Sequence, residues 1–312
     1  MSRARHASGG VVRGSAAAVL AAALFAGIFY LSGVVNVSAE VMFGARILIT
    51  LVCYALALTH PGARRMLRDY WVTLRGLRWG WVLFPALCVL VGVQLWLFSW
   101  APLHGHALDA SLGFLLLPLV IVLGSRILLR AEVSRVQWVA VGVAVVAVTV
   151  KLALTPEVSW VTVVICTGYP AYFVLRRRFG LDNPAAFGVE VAGIAPVALL
   201  LVSWGGPFPE ETAARLALLA VGVAGAAAMF AYLAAAQLLS LPVFGMLGYL
   251  EPVFLVAVAL ILGEQLQPGD LLAYGLLATA LGILAIDGLR GSPGANAPST
   301  VQDRLHGTRR SR

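Results

Sequence analysis

Ten stretches of this chain are apolar, almost uncharged and about as long as a bilayer is thick. They run over about 14–35, 41–59, 79–100, 108–125, 136–154, 158–175, 186–204, 214–237, 243–263 and 270–289. A membrane-spanning helix needs roughly 17–25 apolar residues. The runs are continuous rather than alternating, and in lipid each segment must satisfy its own backbone polar groups, so helices are the expected spanning form. Composition agrees: 61% of residues are hydrophobic and 12% charged, against about 45–50% and 25% in soluble proteins. The expected fold class is an all-α membrane protein with ten transmembrane helices. The division at Thr155–Pro156–Glu157 between the fifth and sixth spans is the least distinct.

The net charge of +8 could point to nucleic acid, but its placement points to membrane topology. Three arginines precede the first span and five lie between the second and third. Three lie between the fourth and fifth, three between the sixth and seventh, and five in the tail. The opposite side carries only Lys151 and Arg215, while Arg46 falls inside a span. Positive charge accumulates on the cytoplasmic side, so both termini are expected there, in a multi-pass protein of the cytoplasmic (inner) membrane. An even span count agrees with that placement. The Arg-rich start followed by an Ala-rich run has the look of a signal peptide, but the run is long for one. Cys53, Cys88 and Cys166 fall within spans, where no disulfide is expected, and no metal-ligand spacing occurs. No cofactor and no nucleic-acid partner is expected.

The two halves resemble each other. FGAR (Phe43 to Arg46) in the second span matches FGVE (Phe187 to Glu190) in the seventh, and LGFLLLP (Leu112 to Pro118) in the fourth matches LGYLEP (Leu247 to Pro252) in the ninth. Ala131–Glu132 and Gly263–Glu264 close the corresponding segments, although the glycine-to-proline spacing differs by one. Five spans is an odd number, so the second copy is turned over relative to the first. The expected layout is a cytoplasmic N-terminus (1–13), a first five-helix repeat (14–154), a second, inverted five-helix repeat (158–289) and a disordered cytoplasmic tail (290–312). Inverted repeats with interrupted helices are a construction of secondary transporters, whose halves rock about a midplane site. Pro118 and Pro252 are the expected kinking or gating positions, since proline removes a helical hydrogen bond.

The stretch QLWLFSWAPLHGHALDASLGFLLLPLV (Gln94 to Val120) resembles the RarD-like branch of the EamA family, in the drug/metabolite transporter superfamily. Further similarity runs through AYFVLRRR (Ala171 to Arg178), VEVAGIAPVA (Val189 to Ala198), YLEPVFLVAV (Tyr249 to Val258) and ILGEQ (Ile261 to Gln265). The resemblance covers about Val37 to Asp287. It implies ten helices in two inverted repeats and an inner-membrane permease. Departures lie mainly in the first half. The first span lacks the family's Trp-Gly start, Ser32 stands where lysine is usual, Leu117 replaces a polar residue, and Ala131 replaces the glycine of Gly-Glu.

Glu251 is the most telling residue. It lies eight residues into its span, roughly 12 Å deep at about 1.5 Å per residue, where a carboxylate costs roughly 2.5–3.5 kcal/mol to insert. Desolvation penalises its charged form, so it is expected to bind a proton or a cationic solute. Glu190, about four residues deep, and Arg46, its repeat counterpart, are further candidates; on straight helices the two lie in opposite leaflets. Gln94, Tyr172 and Tyr249 complete the expected solute- or proton-binding set. Against function stand bland alternatives: a bonded glutamate, a boundary carboxylate, and an arginine that snorkels. The residues His104, His106 and Asp109 form the only crowded outer cluster, and they lack a nucleophile and a third metal ligand. Asp109 is expected to cap the fourth helix, and Glu132 and Glu264 to sit at turns or helix starts. Gly263 suits a left-handed helix terminus.

The leading expectation is therefore a secondary permease that moves a small metabolite or drug, outward and with proton coupling. Its partners are lipid, a small solute and protons. The alternative is a polytopic membrane enzyme built on His104, His106 and Asp109.

Overall fold

The computed structural model describes residues 2–129, 133–154, 159–239, 244, 247–266 and 268–289. Glu132, the division at 155–157, the first residues of the ninth expected span and the tail from 290 lie outside the described residues. Among those described there is no strand. The helices are α1 (Ser2–Val34), α2 (Ala39–Ala57), α3 (Pro61–Gly76), α4 (Gly80–Leu103), α5 (Ala107–Leu129), α6 (Arg135–Leu154), α7 (Trp160–Arg178), α8 (Pro184–Trp204), α9 (Thr212–Leu238), α10 (Leu250–Ile261) and α11 (Pro268–Leu289).

Six of these, α1, α2, α4, α5, α8 and α9, are long and apolar enough to cross a membrane. The other expected spans are helical but shorter in their apolar part. The helix α7 ends in Arg176, Arg177 and Arg178, and α10 has 12 residues. Large apolar side chains cover the outside of the bundle, among them Trp81 at 75% and Trp204 at 81% exposure. A surface of that kind is stable against hydrocarbon and not against water. The chain is a multi-pass membrane protein.

One helix was not expected. The loop between the second and third spans folds as α3, started by Pro61 in its first turn and by His60, whose Nδ1 accepts from Gly62 N at 3.2 Å. Proline fits there because the first helical N–H has no intrahelical partner. Tyr70 and Leu74 of α3 are buried against the bundle, while Arg64, Arg65, Arg68 and Arg75 face out.

Packing runs mainly between the halves rather than within them. The most extensive helix pairs are α1 with α9, α5 with α7, α6 with α11 and α2 with α8. Small residues permit these approaches: a Cβ on Gly44 would lie 2.7 Å from the Ala198 carbonyl, and one on Gly222 2.5 Å from Ile49. Without a hydrophobic force between helices in lipid, such close contact is the main source of cohesion.

The two expected kinks differ. Pro118 stands inside α5, whose helix continues through it. Pro252 occupies the first turn of α10, where a missing N–H is harmless. The interruption lies just before it: Leu247 and Gly248 are helical, Tyr249 is a turn residue, and a new helix starts at Leu250. Glu251 is thus at a helix N-terminus, whose partial positive charge favours an acid.

Candidate functional site

Polar groups are scarce inside the bundle, and most of those examined for function fall into two separate clusters. The first is central. Arg46 of α2 is 4% exposed, with its guanidinium carbon 5.2 Å from the centre of the Phe98 ring of α4. Phe98 is itself held edge-on by Phe29 and Phe114, at centroid distances of 5.0 and 5.7 Å. Phe114 in turn meets Tyr169 of α7 at 5.6 Å. Arg46, Tyr169 and the half-buried Glu251 of α10 lie within electrostatic range of one another. Glycine makes room for the arginine, since a Cβ on Gly225 would lie 3.2 Å from Arg46 Nε.

Gln94 of α4 lies one helical turn before Phe98 and faces α7. Its Nε2 donates to Val164 O at 2.9 Å, across Gly168, where a Cβ would sit 2.0 Å from that nitrogen. Gln94 Oε1 and Arg46 Nη1 are buried and have no hydrogen-bond partner. Glu251 accepts no hydrogen bond among the described residues. Buried polar atoms are nearly always bonded, so these two orphaned atoms stand out, as does the half-buried Glu251 among the polar groups of this region. The residues of the region come from both halves: Arg46, Gln94 and Phe98 from the first, Tyr169 and Glu251 from the second.

The second cluster lies near the arginine-rich end of α7 and α8, and it is more fully bonded, although Glu190 Oε1 has no hydrogen-bond partner among the described residues. Glu190 is fully buried. Tyr172 donates its hydroxyl proton to Glu190 Oε2 at 2.5 Å, and Arg176 Nη1 donates to the Tyr172 oxygen at 2.5 Å. Arg176 Nε lies 3.9 Å from Glu190 Oε1. Gly180, at φ 68°, turns the chain back after α7, so the carbonyls of Leu181 and Asn183 also accept from Arg176, at 3.4 and 3.0 Å. A side chain with a Cβ rarely adopts that φ, which is why glycine stands there.

The expected site residues therefore divide. Arg46 and Glu251 approach each other at the centre, and Gln94 lies a helical turn from its Phe98. Glu190 and Tyr172 pair with each other and with Arg176, so Arg46 and Glu190, expected as repeat counterparts, serve different clusters. Tyr249 packs against the α5, α6 and α11 cluster. Sequence reasoning missed Tyr169 and Phe98, and counted Arg176 as a solvated loop charge. Its signal was the Tyr172–Arg176 spacing of four, which places both on one helix face.

The outer cluster is occupied in holding the chain. His104 and His106 stack on Trp100, at centroid distances of 4.2 and 5.4 Å. His104 Nδ1 is 2.8 Å from Trp100 O, and His106 Nδ1 is 2.7 Å from Asp109 Oδ2. The fifth helix begins at Ala107, so Asp109 lies inside its first turn and does not cap it. The cap comes from the other half: Glu264 Oε1 and Oε2 accept from Ala107 N and Leu108 N at 2.6 and 2.7 Å. Gly263, left-handed at φ 92°, ends α10 and turns Glu264 toward α5. Tyr274 adds a bond to Leu108 O at 2.7 Å, Thr162 one to Asp109 O at 2.7 Å, and Lys151 pairs with Asp270. Five side chains thus tie the halves together at the arginine-poor end.

The chain is 37% identical over 229 residues to the chloramphenicol-sensitive protein RarD of Pseudomonas aeruginosa, covering 72% of this chain and 77% of that one. It is 30% identical over 287 residues to an uncharacterized transporter of Pasteurella multocida, covering 89% and 97%. A protein RarD of Streptomyces exfoliatus is 28% identical over 231 residues, covering 68% and 73%. No family model matches the chain. A solved structure described only as "Crystal structure of protein" superposes with a TM-score of 0.57, over 91% of this chain and 98% of its own. At 18% identity that likeness concerns the fold alone.

Proposed function

We propose that this chain, which belongs to the RarD-like family of membrane transporters, is a secondary permease working by alternating access around the Arg46–Glu251 centre. The observation that carries the reading is the approach of Glu251, from the second half, to the buried and unsatisfied Arg46 guanidinium of the first, beside an aromatic floor. A solute with a cationic and an anionic or acceptor group would find Glu251, Arg46 and Gln94 facing it. Glu251, half-buried and without a hydrogen bond among the described residues, is the group to exchange a proton or to meet the cation.

Helix pairing supports two inverted five-helix halves, α1, α2, α4, α5 and α6 against α7 to α11, with α3 added. Exchanging the halves carries α1·α9 onto α4·α7, α1·α10 onto α5·α7, and α2·α9 onto α4·α8. It leaves α2·α8, α5·α10 and α6·α11 in place, and every one of these pairs is packed. The polar ties from Glu264, Tyr274, Thr162 and Lys151 make the arginine-poor end the closed one. The arginine bias supports a cytoplasmic placement of the arginine-rich end and of both termini, so that the closed end faces outward; the direction of transport in this proposal is export.

The test is transport in proteoliposomes under an imposed pH gradient, using solutes selected by thermal shift. Glu251→Gln is expected to abolish gradient-driven transport while the variant stays folded. Transport unchanged in that variant would remove the coupling role.

A further inference from the structure

A cavity of about 670 Å³ lies far from the central cluster, at the arginine-rich end, walled by α2, α3, α4, α8 and α9. Small-molecule sites occupy roughly 300–1,000 Å³, so the space is large enough for a ligand. Its lining is apolar, including Met66, Trp71, Phe84, Val189, Ala192 and Phe230. Ala192 and Gly193 of α8 are exposed within it, so the cavity is open at its side rather than sealed in the core.

The helix α3 gives this cavity a charged edge. On a helix of 3.6 residues per turn, Arg64, Arg68 and Arg75 fall on one stripe, beside Trp71, which faces the cavity. Arg75 stands 5.8 Å from the centre of the Trp71 ring. Arg64 is spent on the end of α2, donating to Leu58 O and Thr59 O at 2.6 and 3.2 Å. Arg68 and Arg75 are exposed, and Asp69 is the only acid on the helix. A basic amphipathic helix of this kind lies in the membrane interface, with its charges at headgroup level.

We infer that α3 and the cavity behind it form a binding site for an anionic phospholipid of the adjacent leaflet. One acyl chain enters the cavity past Ala192, and the phosphate headgroup rests on Arg68 and Arg75. Charge selects this occupant: an apolar solute would need no arginine stripe, and a zwitterionic lipid would gain little from it. Each interfacial arginine favours an anionic headgroup by about fivefold, the equivalent of ~1 kcal/mol.

Native mass spectrometry of the full-length chain tests this with dioleoyl phosphatidylglycerol and dioleoyl phosphatidylcholine, added separately to the detergent-purified protein. The expected result is preferential retention of one phosphatidylglycerol. Arg68→Gln with Arg75→Gln should bring its retention down to the phosphatidylcholine level. Filling the cavity by Ala192→Phe, or independently by Ala234→Phe, should remove the retained lipid while circular dichroism stays unchanged. Equal retention of the two lipids by the unaltered protein would overturn the inference. So would retention of phosphatidylglycerol by both cavity-filled variants in folded form. No transport is measured, so this outcome stands apart from that of the proposed permease.

Discussion

Two carboxylates in apolar helices, the buried Glu190 and the half-buried Glu251, differ in their bonding. Glu190 receives the Tyr172 hydroxyl and the nearby Arg176 charge, all from α7 and α8 of the same half. Glu251 accepts no hydrogen bond among the described residues, and its nearest opposing charge, Arg46, belongs to the other half. A carboxylate bound within one rigid unit holds that unit together. A carboxylate facing the opposite unit, with partners unsaturated, can change partners when the units move. In the proposed mechanism this difference separates a fastening from a working site, although both residues are acids in apolar helices.

The comparison breaks most readily at Arg176. In Arg176→Ala, Glu190 keeps its burial and loses its counter-charge, an arrangement that costs about 3–5 kcal/mol. Thermal unfolding in detergent should show a large loss of stability; an unchanged midpoint would make the Glu190 cluster dispensable. A smaller effect is expected at the closed end. Glu264→Ala leaves two N–H groups at the start of α5 uncapped, at about 1–2 kcal/mol, and the same unfolding assay should report it.

The central cluster is expected to respond more weakly in stability than in transport. In Gly168→Ala the new methyl displaces the Gln94 amide, and the lost bond to Val164 is worth about 1 kcal/mol. Adding Gln94→Ala should then cost little more, because the clash has gone; additive losses would place the strain elsewhere. Least of all, Glu251→Gln should move stability by no more than about 0.5 kcal/mol, since no bond to that carboxylate is lost. A large destabilisation would turn Glu251 into a second fastening and dissolve the contrast.

Much of this architecture was legible because lipid imposes a simple rule on sequence. Every expected span has a helix in it, since uncharged runs have no other way to satisfy their backbone. The helix α3 escaped because its apolar residues, Leu67, Tyr70, Trp71 and Leu74, are interleaved with arginines and fill less than a bilayer's width. The signal was there, at helical spacing. Glu251 was legible as an isolated acid in an apolar run, and Gln94 as a polar residue deep in another. Arg176 carried only a faint mark, its spacing of four from Tyr172, and nothing in the run of three arginines says that this face turns inward. Glu264 was placed near a helix end correctly, but its own sequence neighbours say nothing of a helix more than a hundred and fifty residues away. Contacts between the halves are three-dimensional facts, and pattern within one segment does not encode them.

The account rests on the halves parting at the end that Glu264 closes. Cysteines at Leu108 and Gln265, in a background without Cys53, Cys88 and Cys166, allow a short, reducible thiol cross-linker to span that end while Glu264 stays in place. Solute transport in proteoliposomes should stop on cross-linking and return on reduction. Undiminished transport through the cross-linked protein would contradict alternating access between these two halves.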